Sequence, residues 1–195
     1  MLKIGITGGI GSGKSTACLV FEKLGIPIYN SDKRAKDLMV EDEALVDSIK
    51  STFGNEVYSG KELNRSVLAG KVFKSKDELE KLNSLVHPAV GRDYKYWLSQ
   101  YKEEKYTIKE AALLFEVGIY RTLDKVIMVT CPLEERLNRV MKRDGIDRKA
   151  VLNRINNQWT EEEKLKLADY FIYNDGSQLL IPQVLKIHKE ILALG

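Results

Sequence analysis

The sequence predicts an α/β fold: a mostly parallel five-stranded sheet flanked by helices. Three observations carry that expectation. A strand-like run, Leu2–Thr7, leads directly into a glycine-rich turn and then a helical run. Further short apolar runs recur along the chain and alternate with helical patterns, as in parallel sheets covered on both faces. Between the second and third strands, some 70 residues read as almost entirely helical. A simple crossover unit takes only about 30 residues, so this stretch reads as a helical insertion.

The elements follow in order. Leu2–Thr7 has the β-branched content of a buried strand. Thr16–Leu24 reads as a helix ended by Gly25, and Ile26–Tyr29 as a second strand. Ser31 and Asp32 are candidate caps of the next helix. Helices are expected near 33–40, 43–52, 62–70 and 76–101. Turn signals stand at Gly54-Asn55 and Ser59-Gly60-Lys61, with a break at Pro88. Strand-like runs resume at Tyr106–Lys109, Ala111–Phe115 and Lys125–Thr130. A charged helical segment, 133–166, is broken near Gly145 and Trp159-Thr160. Tyr170–Phe171–Ile172–Tyr173 gives the last strand. The closing helix, near 178–193, carries Pro182 in its first turn, where proline is tolerated. The expected division is a core (1–32), a helical insertion (33–104), more core (105–135), a lid (136–166) and a closing core segment (167–195).

Composition narrows the function classes. The chain has 195 residues, enough for one α/β core of about 150 residues plus a small insert. Its net charge is +3, with both signs interspersed, which fits an anionic small-molecule substrate and gives no reason to expect a nucleic-acid partner. Cys18 and Cys131 lie far apart and lack metal-ligand spacing, which suggests free thiols in a reducing compartment. No apolar run approaches the ~20 residues needed to span a membrane. No secretory pattern opens the chain. A cytoplasmic protein with no membrane partner is expected.

The glycine-rich turn, Gly8-Gly9-Ile10-Gly11-Ser12-Gly13-Lys14-Ser15, carries the chemistry. Between a strand and a helix, its backbone N–H groups surround phosphate oxygens and the helix N-terminus adds its positive end. Lys14 reaches the β- and γ-phosphates, and the Ser15 hydroxyl holds Mg²⁺. Asp32 lies just past the second strand, at the carboxyl edge where parallel sheets bind ligands. It reads either as a base that orients and deprotonates a hydroxyl, with Mg²⁺ bound through water, or as a helix cap. Glu116 follows an apolar run, and reads either as a site acid or as a cap for Val117–Arg121. Arg136, Arg139 and Arg143 share roughly one helix side. They form either an exposed amphipathic face or a lid whose guanidinium groups stabilise the transferring phosphoryl group.

Together these residues resemble the dephospho-coenzyme A kinase family over essentially the whole chain. The resemblance rests on Ile6–Thr16, Asn30-Ser31-Asp32, Leu82–Pro88 with its His87-Pro88, and Leu113-Leu114-Phe115-Glu116. It continues through Arg139, Arg143-Asp144-Gly145, Arg154 with Gln158, Ala168-Asp169, and Asn174 with Gly176. It implies a P-loop kinase-like fold with a helical acceptor-binding insertion and an arginine-bearing lid. It also implies ATP and Mg²⁺ as cofactors, and transfer of the γ-phosphoryl to the ribose 3′-hydroxyl of dephospho-coenzyme A. Catalytic roles fall on Asp32, Lys14, Arg139 and Arg143. Nucleotide contacts fall on Gly9, Ile10, Gly11, Ser12, Gly13, Lys14, Ser15, Thr16, Asn174 and Gly176. Acceptor contacts fall on Asp32, His87, Glu116 and Arg139; metal contacts fall on Ser15 and on Asp32 through water. His188 reads as structural or exposed. Three positions depart from the family pattern: Asn30 for aspartate, Ala112 for proline and Arg136 for glutamine. A monomer or weak homo-oligomer is expected. A kinase for another small acceptor, such as a nucleoside monophosphate, is the nearest alternative. A non-catalytic nucleotide-binding module is a weaker one, and the guanine-reading Asn-Lys-x-Asp of a regulatory GTPase is missing from the sequence.

Overall fold

Strand β1 (Leu2–Thr7) ends in the glycine turn, and helix α1 (Lys14–Lys23) starts at the turn's lysine. This computed structural model describes residues 1–72 and 74–194, so residue 195 of the closing segment lies outside the described residues. The chain continues through β2 (Ile28–Asn30), α2 (Ser31–Glu41), α3 (Glu43–Phe53), β3 (Tyr58–Ser59), β4 (Glu62–Leu63), α4 (Arg65–Val72) and α5 (Lys76–Ser99). It then forms β5 (Tyr106–Glu110), β6 (Lys125–Thr130), α6 (Leu133–Asp144), α7 (Arg148–Asn156), α8 (Glu161–Leu165), β7 (Tyr170–Tyr173) and α9 (Leu180–Leu192). It divides into two compact units. One is Met1–Asn30 with the chain from Tyr101 onward; the other is Ser31–Gln100.

The first unit holds a five-stranded sheet in the order β2-β5-β1-β6-β7, with every pairing parallel. Its register matters for function. Ile6 pairs with Glu110, Glu110 pairs with Asn30, and Thr7 pairs with Met128. The carboxyl ends of four strands therefore finish at one edge, next to the glycine turn. Alternate residues of β1, β5 and β6, including Ile4, Ile6, Ile108 and Ile127, join Phe21 of α1 and Val184 of α9 in one core. Ala111, Leu114, Phe115 and Val126 form a second cluster. Each fully buried side chain of this size contributes about 1.5–3 kcal/mol, so the sheet edge is set on a rigid base. The segment α6–α8, expected as a lid, belongs to this same unit.

The second unit is built from α2–α5 and the small β3–β4 hairpin. Leu38, Leu45, Ile49, Phe53, Val57 and Leu68 are among its buried residues. The Arg34 guanidinium donates to both Asp93 oxygens, at 3.0 and 2.8 Å, and joins α2 to α5. The Asp42 side chain caps α3 by accepting from Leu45 N–H.

Several local expectations change. Ala111–Phe115 is not a strand. Ala111 N–H still bonds Ile6 C=O, but the chain then turns so that Leu114 and Phe115 fold into the second cluster. The helix expected at 62–70 starts only at Arg65, because Glu62–Leu63 pairs with Tyr58–Ser59 around Gly60. Pro88 does not break α5. Its missing N–H and ring cost a helix about 3 kcal/mol, and Val86, Ala89, Val90 and Tyr94, buried on either side, offset this. Ser31 and Asp32 are the first two residues of α2.

Candidate active site

The glycine turn takes its shape from what surrounds it. Ser12 N–H bonds Gly9 C=O, and Gly13 C=O accepts from both Thr16 and Ala17 N–H to start α1. Gly13 is left-handed, at φ 93° and ψ 22°. A side chain there would also collide with the Asn174 amide. At Gly9 a Cβ would collide with the Arg136 guanidinium, and at Gly11 with the backbone of α6. Glycine is required at Gly11 and Gly13, whose φ values are positive, whereas at Gly9 the obstacle is the end of the Arg136 side chain.

Lys14 Nζ donates to Gly8 C=O at 3.0 Å, so its charge lies over the turn. The Ser15 hydroxyl donates to Glu110 Oε1 at 3.2 Å, and the Asn30 amide donates to Glu110 Oε2 at 2.7 Å. Glu110 is only 5 % exposed. The sequence reading missed it, ending the strand at Lys109. The available signal was an acid at the carboxyl end of a central strand. The Asn30 departure has a physical sense here: an aspartate at 30 would set a second carboxylate against Glu110, whereas asparagine donates to it. Burial and the nearby Glu110 push the Cys18 thiol up, away from thiolate. Mg²⁺ takes hard oxygen ligands and is usually held by one or two carboxylates plus substrate phosphates. A Ser15 hydroxyl beside the Glu110 carboxylate fits that donor set.

The three arginines share one side of the continuous helix α6, as their spacing predicts, but their guanidinium groups go to three places. Arg139 Nη2 donates to Asn174 C=O at 3.0 Å, while the Asn174 amide donates to Ser12 C=O at 2.9 Å. Arg139, Asn174 and the glycine turn are thus joined. Arg136 is buried against Gly9, with Glu161 at 3.6 Å. Arg143 is forked onto Asp144 at the exposed end of α6. Thr16 is exposed, and Gly176 is left-handed at φ 82° in an exposed turn. Glu116 Oε1 lies 2.7 Å from the Lys164 ammonium and accepts from Trp159 N–H at 2.9 Å. This places Glu116 under the α7–α8 connection. His188 Nδ1 pairs with the buried Tyr106 hydroxyl at 2.7 Å, a structural contact. Asp169 accepts from Val126 N–H and Lys125, tying β7 to β6.

Asp32 and His87 belong to the other unit. Asp32 is exposed in the first turn of α2, two residues after the end of β2. His87 is exposed on α5. Among the described residues, no group of three or more His, Cys, Asp or Glu side chains is arranged to hold a metal, and no helix is long and apolar enough to cross a membrane.

A model of the dephospho-CoA kinase family matches residues 2–179. A dephospho-CoA kinase of Bacteroides fragilis is 37% identical over 186 residues, covering 95% of this chain and 91% of the relative. Among solved structures, a dephospho-CoA kinase from Campylobacter jejuni superposes with a TM-score of 0.73 at 30% identity, covering 98% of this chain and 97% of that one. The Thermus thermophilus protein TT1252 superposes with a TM-score of 0.84 at 36% identity, over 99% and 97% of the two chains.

Proposed function

We propose, for a chain that belongs to the dephospho-CoA kinase family, the following use of its residues in transferring the γ-phosphoryl of ATP to the ribose 3′-hydroxyl of dephospho-CoA. The bond from the γ-phosphorus to the β,γ-bridging oxygen breaks, and ADP leaves with that electron pair. A bond forms between the 3′-oxygen and phosphorus. The hydroxyl proton passes to Asp32, which orients the acceptor as bonding develops. Lys14 and the turn amides from Gly9 to Ser15 hold the β- and γ-phosphates, Arg139 neutralises charge at the transferring group, and Asn174 and Gly176 border the nucleotide. Arg143 joins Arg139 only by leaving Asp144. Ser15 and Glu110 would hold Mg²⁺, with Asp32 as a water-mediated partner, and the ion would supply electrostatic stabilisation of charge on the phosphates. His87 and the helical unit contact the acceptor. Glu116 serves the acceptor side through the connection that it supports. Most of the rate gain comes from positioning and electrostatics.

The observation that carries this reading is the joined set Lys14, Ser15, Glu110, Arg139 and Asn174 around one glycine turn. The two separated, buried cysteines support a reducing, cytoplasmic setting. The test is an acceptor panel with ATP, scored by product and phosphorylated position. Dephospho-CoA phosphorylated at the 3′-oxygen is expected. Preference for a nucleoside monophosphate would overturn the acceptor assignment. ADP release indifferent to every acceptor would overturn the kinase reading.

A further inference from the structure

We propose that Gln158 is a positioning residue for phosphoryl transfer, tying the crest of the glycine turn to the loop after β5. Its Oε1 accepts from Ile10 N–H at 3.0 Å, and its Nε2 donates to Ala112 C=O at 3.2 Å. Only this orientation of the amide satisfies both partners, because one is a donor and the other an acceptor. A single neutral side chain therefore bridges two backbone segments that border the phosphate site. A carboxylate would serve Ile10 N–H equally well, but would place a negative charge beside the nucleotide phosphates.

The connection carrying Gln158 is itself clamped. Gln158 N–H bonds Ile155 C=O at 2.9 Å, ending α7. The next residue, Trp159, gives its N–H to Glu116, which also faces the Lys164 ammonium. Thr160 then caps α8 in a reciprocal arrangement with Glu163. Lys164 is 1 % exposed, and an ammonium so deeply buried is tolerated only when paired. Gln158 thus projects from a clamped connection onto a glycine-rich turn, whose backbone is intrinsically permissive. Pinning Ile10 removes conformers that would otherwise have to be excluded each time ATP aligns for transfer. The role rests on the turn being the ATP site.

The test compares Gln158→Ala and Gln158→Glu with wild type, using ATP, Mg²⁺ and dephospho-CoA, together with a nucleotide-binding titration and a thermal melt. Two lost hydrogen bonds predict that Gln158→Ala lowers kcat/KM for ATP by about 10- to 30-fold, with the KM for dephospho-CoA within about twofold of wild type. In Gln158→Glu the ionised side chain keeps the bond from Ile10 and loses the one to Ala112. When protonated, it regains an O–H donor. Against the Ala112 carbonyl and the nucleotide phosphates this carboxyl is expected to titrate well above the ordinary ~4.3, so the ratio of its kcat/KM to wild type is expected to rise about fivefold or more between about pH 8 and about pH 5.5. A role confined to holding up the fold would lower the melt without that pH signature. Wild-type kinetics in Gln158→Ala, or a flat Gln158→Glu ratio across pH, overturns the proposal. If Gln158→Ala does not fold, the isosteric Gln158→Glu decides. If wild type transfers nothing to dephospho-CoA, the acceptor assignment fails by itself. The proposal is then decided by the ATP titration: at least about fivefold weaker binding in Gln158→Ala supports it, and unchanged binding overturns it.

Discussion

Gly13→Ala tests whether the glycine turn is shaped by its neighbours as well as by its own flexibility. Two costs add. Gly13 sits at φ 93°, where an L-residue with a Cβ loses about 1–2 kcal/mol. The new methyl also collides with the Asn174 amide and displaces its 2.9 Å bond to Ser12 C=O, which is worth about 1 kcal/mol. The expected loss is about 2–3 kcal/mol, or about 4–12 °C in the melting midpoint of a chain this size. Urea unfolding of wild type, Gly13→Ala, Asn174→Ala and the double variant separates the two terms. In the Asn174→Ala background the collision partner is gone, so Gly13→Ala is expected to cost only the backbone term. That gives a coupling of about 1 kcal/mol. A Gly13→Ala variant within about 0.5 kcal/mol of wild type would refute the strain argument. Strict additivity in the double variant would refute the Asn174 collision.

Three further outcomes are expected. Asp32→Asn is expected to lower turnover by about 10²–10⁴-fold with ATP affinity intact. Asp32 lies within the first turn of α2, so losing its charge costs that helix only about 0.3–1 kcal/mol; near-normal turnover would remove Asp32 from the chemistry. Glu110→Gln is expected to raise the half-saturating Mg²⁺ concentration by about 10–100-fold, and an unchanged Mg²⁺ titration would remove Glu110 from the metal site. Burial lowers Lys109 from the ordinary 10.5 to about 8, so between these values the unfolded chain binds a proton that the folded one does not. Wild-type stability should therefore gain relative to Lys109→Met as pH rises through that window, and parallel stability curves for the two proteins would contradict it.

The sequence by itself determined whatever depends on neighbours along the chain. The strand–turn–helix at Leu2–Lys23, the strands Lys125–Thr130 and Tyr170–Tyr173 and the breaks at Gly145 and Thr160 are local patterns, and these appear in the fold. Tertiary structure decided what depends on register and packing. Glu110 became a partner of Ser15 and Asn30 only because parallel pairing sets β5 level with β1 and β2. Arg136, Arg139 and Arg143 have nearly equivalent spacing, yet one is buried against the turn, one joins Asn174 and one faces solvent. Glu116 likewise found Lys164, 48 residues away in the numbering, and Ala111–Phe115 left the strand to fill a core. Helix and strand periods arise from backbone bonds and alternating faces within a few residues. A buried ion pair or a shared hydrogen bond is chosen by the energy of leaving a polar group unpaired away from water, and that energy exists only once distant segments have packed.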